Sequence, residues 1–231
     1  MKEHPHCFCR SRYANNKRRT RQSLLARLAQ RLAGLEGLHE NILIEKEKVM
    51  QEKIVYFEKP GKGNTAEVIE LVKERAQTRG IYRFVVASTR GNTAKDFLEA
   101  VSGTDHRLVI VPWQFGFKGE VQPFPQELVS ELRTKNHQVH FGTMLFHTTE
   151  FYGTSTPQAM ANVLRTFGQG TKVCLEILLM ACDGGCIGIG EKVIAVAGTG
   201  AGADTALVAT AAPTTRLSSL RIHEIICKPV M

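Results

Sequence analysis

From Ile54 onward, apolar runs alternate with amphipathic stretches, and the period of the pattern switches between them. Ile54 to Phe57 reads as a strand. The loop EKPGKGNT follows, then a helix from Thr65 to Arg79 ending at Gly80, with Asn64 and Glu67 spaced as a capping box. Phe84 to Ala87 has no polar alternation, as in a strand buried on both faces. Ala94, Phe97, Leu98 and Val101 then repeat at i, i+3, i+4 and i+7, which marks a helix. Leu108 to Val111 is a third strand, followed by a loop and a helix that Pro125 starts in its first turn. Val139 to Phe141 is a short fourth strand. Thr156 and Pro157 open a helix carrying Met160, Val163, Leu164 and Phe167 at helical spacing. Val173 to Cys182 is nearly all apolar, and its length favours a buried helix. Val193 to Ala197, Thr205 to Ala211 and Ile222 to Cys227 are the remaining strands. Repeated strand and helix alternation predicts an α/β fold with a mostly parallel sheet covered on both faces, a three-layer α/β/α sandwich.

In such sheets ligands gather at the carboxyl ends of the strands. The loops expected there are KPGKGNT, STRGNT, PWQFGFKG and AGTGAGADT. Ser88, Thr89, Arg90, Gly91, Asn92 and Thr93 place hydroxyls, a cation and a glycine where free helix amides point outward, a setting that suits an anion. The alternative is that Asn92 or Thr93 merely caps the helix. Gly198, Gly200 and Ala203 have the G-x-G-x-x-A spacing of dinucleotide-binding turns, but Pro213 cuts off the following segment before a crossover helix can form. This reads as a Gly-rich turn between two strands that can still approach a ligand with its amides. No P-loop sequence occurs.

Charge narrows the class. The net charge is +8, but residues 1–49 hold 11 Lys and Arg against 5 Asp and Glu, leaving 19 against 17 in the rest. The body is nearly neutral, so neither nucleic acid nor membrane is expected as a partner. Residues 1–49 are expected to be a basic, poorly ordered extension, outside a single α/β domain spanning 50–231. Leu24, Leu25, Leu28, Leu32 and Leu35 make a short amphipathic stripe there, with no acidic residue between His4 and Leu35. A frayed helix, a mitochondrial transit peptide and an upstream leader before a start at Met50 all fit it. The expected location is cytoplasmic, or mitochondrial if the extension is a transit peptide.

The six cysteines lack paired metal-ligand spacing, and His4, His6, Cys7 and Cys9 have no second ligand pair downstream, so no metal is expected. Glu176 stands in the apolar segment VCLEILLMACDGG, where an unpaired carboxylate is costly. It is either a ligand-facing or catalytic acid or one half of a structural pair. Cys182 and Cys186 have no local base, so nucleophilic catalysis is not indicated.

The segments KIVYFEKPGKGNT, YRFVVASTRGNTAKDFLEA, KVCLEILLMACDGG, VIAVAGTGAGADTALV and EIICKP together resemble the small stand-alone pyruvate kinase alpha/beta domain proteins, over about residues 53–229. The resemblance implies a fold similar to the C-terminal domain of pyruvate kinase, without the barrel that carries its chemistry. It also implies a phosphorylated ligand at Ser88 to Thr93, with flavin mononucleotide (FMN) the candidate. On that footing the expected ligand residues are Asn64, Thr65, Ser88, Thr89, Gly91, Asn92, Thr93, Trp113, Glu176, Gly200, Gly202, Asp204 and Thr205, with Trp113 or Phe115 flanking a ring. The expected function is a binding module, with homo-oligomerisation left open. The other class is a flavin-dependent enzyme drawing on Glu176 or Asp183 for proton transfer.

Overall fold

The computed structural model describes residues 50–230, together with Arg27 and Gln30. Contacts divide the chain into Met1–Glu52 and Lys53–Met231, and the fold lies in the second unit. The leucine stripe and the His4, His6, Cys7 and Cys9 group lie outside the described residues.

Among the described residues seven strands form one sheet: β1 (Val55–Phe57), β2 (Arg83–Ala87), β3 (Arg107–Val111), β4 (Gln138–Val139), β5 (Lys192–Ala197), β6 (Thr205–Thr210) and β7 (Arg221–Pro229). Their order is β1-β7-β6-β5-β2-β3-β4. Every neighbouring pair is parallel except those that β6 makes with β5 and β7. The Gly-rich segment 198–204 therefore turns between two antiparallel strands and opens no crossover helix. The expected fourth strand falls slightly earlier than its apolar pattern, at Gln138–Val139.

Strand residues divide cleanly between two cores. Phe84, Val86, Leu108, Ile110, Ile194 and Val196 face one side, with α1 (Thr65–Arg79), α2 (Asn92–Ala100) and α3 (Gln126–Thr134). Val85, Val109, Val193, Ala195 and Leu207 face the other, where α6 (Gln169–Asp183) lies. A strand with apolar partners on both sides has no polar face to alternate, which is why these runs look continuous. α6 is apolar around most of its circumference because it packs on the sheet on one side and, on the other, on α5 (Thr156–Arg165) and the turn at Leu145–His147. The arrangement fits a three-layer sandwich loosely, since the α6 side also carries the short α4 (Thr149–Tyr152) and turns.

One helix departs from its pattern. α5 buries Ala161, while Met160, Val163 and Phe167 of its apolar stripe face solvent. Pro125 sits just before α3, in extended backbone, and not in the first helical turn. Among the described residues no helix is long and apolar enough to cross a membrane.

Candidate functional site

The loop after β2 continues the sheet by one bond, from the Ser88 amide to the Val111 carbonyl at 3.3 Å. The Ser88 hydroxyl then turns back and accepts a hydrogen bond from the Ala94 amide at 3.2 Å, which satisfies the third amide of α2. Neither Asn92 nor Thr93 is the cap: both already belong to the helix, and Ser88 supplies the cap from the strand side. Gly91 is required here. Its φ is +89°, and a side chain would meet Leu128 Cδ2 at 2.8 Å and Pro125 at 3.2 Å. Lys95 donates its amide to the Gly91 carbonyl, so the Asn92 and Thr93 amides are the two in this turn without a partner among the described residues. Thr93 is buried, Thr89 half-buried, and Arg90 and Asn92 exposed. Free amides, two threonines and Arg90 thus lie in sequence at the positive end of the helix dipole.

Beside this loop, a clasp joins the turn before α1 to the turn before β6. Asp204 is fully buried, and its Oδ2 accepts from the amides of Gly61 at 2.8 Å and Thr199 at 2.9 Å. Its Oδ1 accepts from the Thr205 hydroxyl at 2.8 Å. Thr65 bridges the same two turns, donating to the Lys62 carbonyl at 2.9 Å and accepting from the Ala203 amide at 3.0 Å. Gly202, at φ +72°, lies against Lys62 and Thr65 with no room for a side chain. Gly200 belongs to the same turn and has positive φ. The expected capping box is not formed. A 3-10 turn at Lys62–Asn64 leads into α1, so Asn64 has helical backbone angles and its side chain donates back to the Lys59 carbonyl at 2.8 Å.

Strand pairing sets these loops side by side. Val86 pairs with Val196 and Ala87 with Val111, so the turns after β5 and β3 emerge on either side of Ser88. Trp113, in the β3 loop, packs edge-on against Phe117 at 5.2 Å, with Lys118 over its ring at 5.0 Å. Phe115 is exposed and leans on Phe141.

Glu176 projects from α6, on the opposite face of the sheet from α2 but the same face on which Trp113 packs, and is 2% exposed. Its Oε1 accepts from the Phe146 amide at 2.9 Å and its Oε2 from Lys172 Nζ at 2.5 Å. Lys172 is equally buried, and its remaining donors meet His147 Nε2 at 3.1 Å and the Phe146 ring at 5.2 Å. Burial pulls the lysine below its ordinary value against the attraction of Glu176. His147 is held low by burial first and by the Lys172 charge second. Lys172 is the partner that the sequence reading overlooked; a lone cation four residues before a lone acid on an apolar helix was the available signal. Asp183 is also engaged, accepting from the amide and hydroxyl of Thr214 at 2.8 and 2.9 Å.

Buried Cys174 and Cys227 are poor nucleophiles, because burial pushes both thiols up, that of Cys227 to about 12. Among the described residues no group of three or more His, Cys, Asp or Glu is placed to hold a metal ion. No family model matches the chain.

Proposed function

We propose that the protein binds the phosphate of a mononucleotide, FMN, at the N-terminus of α2. In this reading it is a stand-alone relative of the pyruvate kinase C-terminal domain that acts as a binding module and has no pyruvate kinase activity. The pair of free amides at Asn92 and Thr93 carries the reading, since they sit at the carboxyl edge of the sheet beside the Thr89 and Thr93 hydroxyls. A mostly parallel sheet with helices on both faces is consistent with the proposed kinship.

The donors divide in importance. Each good hydrogen bond to a charged oxygen is worth about 1.5–3 kcal/mol, against roughly 0.3–2 kcal/mol for the helix dipole. Amide and hydroxyl geometry therefore outweighs overall charge. Trp113 and Phe115, on the neighbouring loop, are the surfaces for a flavin ring. Asp204, Thr65, Thr205 and Gly202 support the crevice indirectly, since their polar atoms and close contacts are spent on one another. Glu176 has both oxygens occupied by the Phe146 amide and Lys172, so in this reading it supports the site through those contacts.

The test compares FMN with riboflavin, using flavin fluorescence, on wild type and on Thr89→Ala/Thr93→Ala, with Ser88 kept to preserve the helix cap. Wild type is expected to bind FMN at least about tenfold more tightly than riboflavin, as one lost charged hydrogen bond implies. The double variant should reduce that preference without abolishing it, since the two backbone amides remain. Equal affinity for the two flavins in wild type overturns the reading.

A further inference from the structure

From Asn136 to Leu164 a single formally charged residue occurs, Glu150, in a chain that is 23% charged. Much of this stretch lies on the surface. On α5, Val163 is 64% and Met160 39% exposed, and Phe167, just past the end of that helix, is 54% exposed. Phe151 at 83%, Tyr152 and Leu217 are exposed as well. A side chain such as Phe151 left this open is a large apolar area awaiting a partner.

The same region carries an open cavity of about 440 Å³, lined by Leu145, Phe146, Tyr152, Met160, Leu179 and Leu217 with several threonines and no charged residue. Its wall is fixed in advance, because the Phe146 amide is tied to the buried Glu176 and the Phe146 ring lies against Lys172. Phe151 stacks edge-on against Tyr152 at 5.0 Å and 89°, and Tyr152 itself lines the cavity. A protruding ring thus stands at the edge of a preformed apolar hole.

We propose that this face docks a second copy of the chain about a two-fold axis, with Phe151 of each copy entering the cavity of the other. Two observations select this occupant. A knob and a hole next to each other on one face complement themselves under two-fold rotation, which is the requirement of an isologous interface. The cavity and the Phe151 side chain beside it carry none of the cations that a nucleic acid or an anionic lipid surface would need, and with Arg165 and Arg216 next to Phe167 and Leu217 the face matches the charge-depleted centre and polar rim of a homodimer interface. The stripe Met160, Val163 and Phe167 then pairs with its own copy beside the two insertions. Nothing in this depends on the phosphate site, which lies on another helix.

The experiment is sedimentation velocity on the full chain across a micromolar range, with Phe151→Asp and Val163→Asp as separate variants. Both positions are exposed, so unchanged thermal melting checks that each variant folds. Wild type is expected to be a dimer, and each variant to raise the dissociation constant about thirtyfold or more, as for a residue at the centre of an interface. A monomer throughout the range overturns the proposal. So does a dimer that both variants leave intact, which places the interface elsewhere. Hydrogen exchange adds a third such outcome: a monomer whose 151–167 amides are protected has this face covered by another part of its own chain.

Discussion

Asp204 and Glu176 are both buried carboxylates with both oxygens hydrogen-bonded, yet they are stabilised by different means. Asp204 has no cation among its hydrogen-bond partners: two backbone amides and one hydroxyl, drawn from the turns on either side, hold its charge with dipoles. Glu176 has Lys172 one helical turn away and a single long-range amide. The first arrangement ties together segments far apart in sequence, and losing it frees two turns at once. The second is mainly local, and its remote effect passes through the adjacent residues Phe146 and His147. Burial and satisfaction are equal at the two sites; what differs is how much of the fold each carboxylate holds.

Asp204→Ala should give the largest effect, because it strands two amides and a hydroxyl in the interior. A loss of roughly 3–5 kcal/mol is expected in denaturant unfolding, scaled from the strength of hydrogen bonds to charged groups. A loss below about 1 kcal/mol would show that water replaces the carboxylate and that the clasp is not a tie. Glu176→Gln comes next, at about 3 kcal/mol, because it leaves the Lys172 ammonium without its counter-charge. The double variant Lys172→Met/Glu176→Leu should recover most of that, since an apolar pair of similar volume removes both desolvation costs. If the double variant is as unstable as the single one, the pair contributes more than mutual neutralisation and the contrast with Asp204 fails.

Acid provides the smallest and most selective probe. His106, His137, His140 and His147 all sit below their ordinary value of 6.5, with burial the largest cause at each. Below pH 6.5 the unfolded chain therefore holds more protons than the folded one, and stability falls as pH drops from 6.5 through the folded values. At His137 the geometry agrees, since Nδ1 accepts from the Leu108 amide and so carries no proton in that contact. The thermal midpoint should fall by a few degrees between pH 7.5 and 5.5, given that about 1 kcal/mol moves it by roughly 2–4 °C in a chain of this size. His147→Gln should flatten this slope slightly, whereas Asp204→Asn should leave the slope unchanged while lowering the whole curve.

The strands and helices were legible because their periodicities are short-range: Phe84 to Ala87 and Leu108 to Val111 appear as strands where the apolar runs place them. The Gly-rich turn was also legible, since Pro213 leaves too few residues for a helix. The clasp was not. Gly61 and Asp204 are 143 positions apart, and the donor is a backbone amide that leaves no mark in the residue alphabet. The capping role of the Ser88 hydroxyl was not legible either, because a cap six residues ahead of the amide it satisfies falls outside the usual local motif. For α5, spacing revealed an apolar stripe but not its direction. Periodicity shows that a helix has a face, and tertiary packing decides whether that face turns inward.

The pairing of β1 with β7 orders events during synthesis. Val55 lies opposite Cys227, so among the described residues the first strand finds its only neighbour in the last. While the ribosome extends the chain, β2, β3 and their helices can assemble from nearby sequence, but β1 waits until Arg221–Pro229 has emerged. Until then the edge of β1 that β7 will cover is open to any other strand, and a nascent chain stalled before residue 221 would leave it so.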